Sequence, residues 1–134
     1  MSQTSTVPLE TRLRRFFAAF SPAAGDADGF GELFGDPFLL ADDAGARPVP
    51  RAAFLAALPR RAQLFADAGL GPAMLTDLTY DRLDERYVLA RTDWDAPRVA
   101  GGEPVRLASS YLLHDDGDRL RIVLYLNHQG LPGA

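Results

Sequence analysis

From residue 75 to residue 128, apolar and polar positions alternate with a period close to two, the spacing of strands that bury one face. The alternation predicts four strands. Residues 75–83 and 86–95 form a hairpin about Asp84-Glu85, and residues 105–114 and 119–128 form a second about the Asp115-Asp116-Gly117-Asp118 turn. Residues 96–103, polar and containing Gly and Pro, connect the two hairpins. Before Gly69 the spacing is helical. Leu9, Leu13, Phe16, Phe17 and Phe20 make one wide apolar face, with Arg12, Arg14 and Arg15 largely off it. Thr6 is placed to cap this helix, Pro8 sits in its first turn, and Ser21-Pro22 ends it. Asp28 can cap a short second helix through Phe30, Leu33 and Phe34, stopped by Gly35. Residues 37–41, apolar and bounded by acidic residues, predict a first strand, and Pro48 and Pro50 mark a loop. Residues 51–58 and 60–68 are helical in pattern, and Pro59 predicts a kink or two abutting helices between them.

Helices first and long hairpins last is the order of an α+β domain, with helices packed on one face of a curved, mixed or antiparallel sheet that encloses a pocket. At 134 residues the chain makes a single domain, 1–134, large enough for its own core, with residues 1–6 frayed. Composition narrows the chemistry. No apolar run reaches the roughly 18 residues of a membrane span, and Met1–Thr6 has no basic start leading into an apolar stretch, so no signal peptide is read and a cytoplasmic protein is expected. The net charge of -4 leaves no electrostatic footprint for nucleic acid. With no Cys there are no thiol nucleophiles or thiolate metal sites. All 14 basic residues are Arg, so no lysine Schiff base can form. No cofactor is expected.

The stretches Phe16-Phe-Ala-Ala-Phe20, Gly25-Asp-Ala-Asp, Gly31-Glu-Leu-Phe34 with Asp36, Trp94 on a middle strand, and Arg121-Ile-Val-Leu-Tyr at the end occur in an order that resembles the nuclear transport factor 2-like superfamily, over roughly residues 8–130. The ending Tyr125-Leu-Asn-His-Gln-Gly-Leu is similar to that of many bacterial members. The resemblance implies a strongly curved, cone-shaped sheet wrapped around N-terminal helices. It also implies a pocket of the kind used by ketosteroid isomerases, SnoaL-like polyketide cyclases, dehydratases and non-catalytic binding modules. A register begun at Leu33-Phe34 puts Asp42 where the isomerase base sits, Phe16 where its oxyanion-binding Tyr would be, and Ser109 where its buried acid would be. Phe cannot donate to an oxyanion and Ser is a weaker donor than a neutral acid, so one of three roles carries over and the steroid isomerase reaction does not.

The expected pocket lies between the first helix and the concave sheet face, lined by Phe16, Phe20, Trp94, Ser109, Tyr111 and Leu126, with Asp42 at its rim as candidate base. Desolvation there would raise an Asp toward a useful base strength. Asp36 and Asp93 stand behind it, and all three also read as local turn or strand-end residues. His128, at the end of the last strand, is a second acid–base candidate or a group satisfied at a subunit contact, and His114 reads as a turn residue. Two separated histidines make no metal site, and the Asp115–Asp118 run lacks the loop length and closing Glu of a calcium site. Val123 and Tyr125 alternate with Ile122, Leu124 and Leu126, so the last strand is apolar on both sides, and a homodimer covering the outer face is expected. Two functions follow. One is a pocket protein binding a small apolar molecule, with isomerase, cyclase or dehydratase chemistry. The other is a non-catalytic dimerisation or ligand-binding module. A buried, unpaired carboxylate in a cavity open to solvent points to the first, and a closed cavity packed with Phe, Leu and Trp to the second.

Overall fold

The computed structural model describes residues 7–19 and 31–128. Helix α1 (Leu9–Ala18) is followed by strands β1 (Phe34–Asp42) and β2 (Gly45–Val49), helix α2 (Arg51–Asp67), and strands β3 (Met74–Arg82), β4 (Tyr87–Ala96), β5 (Val105–Asp115) and β6 (Leu120–Asn127). The six strands form one sheet in the order β2-β1-β6-β5-β4-β3. Among these strands only the β1–β6 pair is parallel. The sheet is curved and open, with β2 and β3 as free edges, so it does not close into a barrel. Among the described residues no helix is long and apolar enough to cross a membrane.

The two C-terminal hairpins start and end within one residue of the alternation pattern. Their turns are held by Asp side chains bonding the backbone. Asp84 Oδ1 accepts from the amides of Arg86 (2.8 Å) and Tyr87 (2.9 Å), and Asp116 Oδ1 accepts from Asp118 (2.8 Å) and Arg119 (2.7 Å). The N-terminal half departs from expectation in four places. Helix α1 starts after Pro8 with no side-chain cap, while Thr6 and Phe20 lie outside the described residues. Phe34 opens β1 instead of ending a helix, because its ring is needed in the core. Pro48 lies inside β2, which pairs with β1 through a tight turn at Asp43-Ala44. Gly45, at φ 131°, supplies there a conformation that other residues rarely adopt. Pro59 sits inside one continuous helix, on its exposed side.

Both helices pack on one face of the sheet. Leu13, Phe16 and Phe17 of α1 and Phe54 of α2 are buried against Phe34, Phe38, Val88, Tyr111, Leu113, Ile122 and Tyr125. Ring centroids lie 4.8 Å apart for Phe34–Phe54 and 4.9 Å for Phe17–Tyr111. Full burial of such a side chain stabilises by about 2–3 kcal/mol. A β-bulge sets which face β6 offers. Leu112 pairs with Leu124 and Leu113 with Ile122, so Val123 is the extra residue. Ile122 and Tyr125 therefore both point inward, and Leu124 and Leu126 point outward.

Asp115 ties the core to the helix. Its side chain is 5 % exposed and accepts from both Arg12 Nη1 (3.0 Å) and Nη2 (2.9 Å), from Arg82 Nη2 (2.9 Å), and from the Gly117 amide (2.9 Å). Hydrogen bonding from Arg12, reinforced by Arg82, holds this carboxyl well below the usual carboxylate range.

Candidate functional site

Between the helices and the sheet, the apolar inner face carries one strip of polar groups that crosses three strands and ends on α2. Alternation on β4 turns Val88, Ala90 and Thr92 inward with Trp94, and β5 does the same with Ser109 and Tyr111. The Trp94 indole Nε1 donates to Thr92 Oγ1 at 2.7 Å. Thr92 Oγ1 lies 2.9 Å from Ser109 Oγ and 3.2 Å from the Ser109 carbonyl. Ser109 Oγ donates to the Tyr111 hydroxyl at 2.9 Å. Tyr111 and its cross-strand partner Tyr125 stack with centroids 5.0 Å apart and ring planes 18° apart. Arg61 of α2 completes the strip, donating from Nη2 to the Tyr125 hydroxyl at 2.7 Å.

Burial pushes the Tyr111 phenol well up, so it stays neutral. The Tyr125 oxygen beside it raises the Arg61 guanidinium above its ordinary value, so it stays charged. The strip therefore holds hydroxyls, an indole, two phenols and a cation. It contains no carboxylate and no imidazole. Among the described residues no three His, Asp or Glu side chains group so as to hold a metal.

A helix before β1, one parallel strand pair in an otherwise antiparallel curved sheet, and an inner face lined with rings describe the fold well enough to be matched. A family model described as NTF2-like protein (DUF6841) matches residues 9–130. The chain belongs to this NTF2-like family. An NTF2-like protein of unknown function from Shewanella oneidensis MR-1 superposes with a TM-score of 0.65 at 17% identity, over 90% of this chain and 96% of that one. An NTF2-like protein with a cystatin-like fold from Novosphingobium aromaticivorans gives 0.66 at 21%, over 93% and 83%. Aln2 from a Streptomyces species gives 0.67 at 15%, over 95% and 94%. At these identities the likeness is one of fold. No curated protein matches the chain.

In this NTF2-like protein the residues singled out from sequence separate onto different surfaces. Trp94, Ser109 and Tyr111 come together on the strip, and Phe16 packs beside it through an edge-on contact with Phe17 at 5.1 Å. Leu126 faces outward because the Val123 bulge inverts the alternation. Asp42 sits at the β1–β2 turn, its side chain 41 % exposed. Its Oδ1 accepts from the Ala44 amide at 2.9 Å and its Oδ2 lies 3.8 Å from Arg47, so it serves its own hairpin and lacks the desolvation a base needs. Asp36 accepts from the Arg51 amide at 3.1 Å, at the N-terminus of α2. Asp93 is on the outer face, 3.5 Å from Arg91.

His128 is also outside. Its Nε2 is 2.7 Å from Ser110 Oγ, and both belong to the outer face. A cavity of about 650 Å³ opens at this end of the sheet among Asp77, Arg91, Asp93, Arg106 and His128, and Trp94 and Leu107 line it as well. Among the described residues no carboxylate orients the other ring nitrogen, so the pair lacks the third member of a nucleophile-activating triad.

Three members of the strip, Thr92, Tyr125 and Arg61, are not among the residues the sequence singles out. Thr92 is readable, since it alternates with Trp94. Tyr125 is hidden by the bulge, and nothing in the run Pro59-Arg60-Arg61 separates the inward Arg from its neighbour.

Proposed function

We propose that this protein is a ligand-binding module without an acid–base step of its own, taking a small, largely apolar molecule against the inner-face strip and working as a homodimer. The observation that carries this is where the carboxylates lie. The one carboxylate among the described residues that is buried, Asp115, is saturated by two Arg and an amide at the far end of β5, and the strip has none. Aromatic and aliphatic walls with a few converging hydroxyl and indole groups suit binding and orientation of a ligand. The homodimer rests on the outer face, which neither α1 nor α2 covers and where Leu39, Tyr87 and Leu89 are exposed.

Trp94 is the chain's single Trp and belongs to the strip, so its emission reports on this end of the inner face and on the cavity beside His128 that it also lines. Titration of the protein with decan-1-ol is expected to shift Trp94 emission saturably and to raise the melting temperature. A linear, unsaturating response from Trp94 with no thermal shift would refute inner-face binding.

A further inference from the structure

We infer that Arg61 is the recognition point for an anionic group, and that the inner-face ligand is an apolar molecule bearing a carboxylate. This rests on reading the inner face as the ligand surface, and names the chemistry of what binds there.

The chain shows how it compensates a half-buried guanidinium. Arg12 gives two nitrogens to both oxygens of Asp115, the bidentate pairing that suits the guanidinium fork. Arg61 is also half-buried, yet its partners are of another kind. It makes one hydrogen bond, to the Tyr125 hydroxyl, and its central carbon lies 5.6 Å from the centroid of that ring. Among the described residues no carboxylate lies within ion-pair distance of it.

A guanidinium has five N–H donors in a rigid plane, and a phenol oxygen engages one of them. The remaining nitrogens are not sealed in. The only buried side-chain nitrogen without a partner among the described residues is Arg121 Nε, so Nε and Nη1 of Arg61 are open to approach. A cation drawn partly out of water, always charged and with spare donors, can take an oxyanion as partner.

The surroundings choose among oxyanions. Tyr125 is held in place by its stack on Tyr111 and its edge contact with Phe54, centroids 6.5 Å apart, so Arg61 stands at the margin of an aromatic wall. A monoanionic carboxylate on an apolar body loses less hydration there than a phosphate dianion, and its body covers the rings.

The test compares decanoate with decan-1-ol and with inorganic phosphate, by Trp94 emission and calorimetry, on the wild type and on Arg61→Gln and Arg61→Lys. Decanoate is expected to bind the wild type about 10-fold more tightly than decan-1-ol, the worth of one charge-assisted pair. Arg61→Gln is expected to erase that preference, bringing decanoate affinity down to that for decan-1-ol, and Arg61→Lys to keep part of it. Equal wild-type affinity for decanoate and decan-1-ol would overturn the anion site and leave the inner-face reading standing. Binding of neither would overturn both. Should Arg61→Gln fail to fold, judged by its melting transition, the wild-type preference decides alone. Phosphate binding as tightly as decanoate would refute the apolar body.

Discussion

Replacing Asp115 by Asn removes one charge and almost no volume, and it should destabilise the fold more than any other single change of charge. The variant leaves Arg12, 15 % exposed, without its counter-charge, and deprives Arg82, 37 % exposed, of a partner it can partly replace with water. Breaking a buried pair from one side costs about 3–5 kcal/mol, and an exposed one at most about 1 kcal/mol. Because Asn keeps one acceptor and Arg12 retains some solvent, the lower end applies, about 3 kcal/mol, out of a total stability on the order of 5–15 kcal/mol. For a chain of this size that is a fall in Tm of roughly 12 °C. The pH dependence gives an independent check. Asp115 is depressed in the folded state, so its contribution is fully present above the unfolded carboxylate value of about 3.9 and is lost as pH falls toward the folded value. The gap between wild type and variant, measured by thermal melts, should be constant from pH 5 to 8 and should shrink below about pH 4. A fall of less than about 3 °C at pH 7, or a gap that persists undiminished at low pH, would refute the assignment of Asp115 as a charged anchor.

Asp42→Asn should leave ligand-induced Trp94 emission unchanged and cost at most about 0.5 kcal/mol, since its bond to Ala44 can be kept by an Asn oxygen and its pairing with Arg47 is exposed; loss of binding in this variant would return Asp42 to the site. Leu89→Glu and Leu39→Glu place a charge on the uncovered face, where these side chains are 43 % and 40 % exposed, and should convert a dimer to a folded monomer by light scattering. A wild type that is monomeric at high micromolar concentration would remove the homodimer.

What the sequence made legible was what local chemistry decides. Period-two alternation places β3 to β6 because each strand buries one face, and the Asp-rich turns close both hairpins with backbone bonds. Strand β2 was not legible, since Pro48 and Pro50 speak for a loop and the pairing that makes residues 45–49 a strand comes from β1. Pro59 argued for a kink or for two abutting helices, and α2 runs through it as one helix, with Phe54 anchoring its first half. Asp115 could have been found. Tyr111, Leu113 and Asp115 share a face by alternation, so the carboxylate had to enter the interior and needed a cation there. The sequence offered Arg12 among three Arg within one helix turn, and only the helix's rotation against the sheet selects it.

The bulge at Val123 couples the two surfaces on which function is read. Without it, strict alternation after Ile122 would carry Leu124 and Leu126 inward and turn Tyr125 outward, as the uninterrupted pattern suggested. Tyr111 would then lose the ring it stacks on, and Arg61 would face a leucine, with no hydroxyl to take its Nη2 donor. The outer face would exchange Leu124 and Leu126 for a Tyr and lose the apolar continuity that runs from Leu39 on β1 to Leu112 on β5. One extra residue thus sets both the polar end of the inner strip and the apolar character of the outer face. For that reason removing the bulge would alter the proposed ligand surface and the proposed dimer surface together, while along β4, which has no bulge against β5, the facing of Trp94 and Leu89 follows plain alternation.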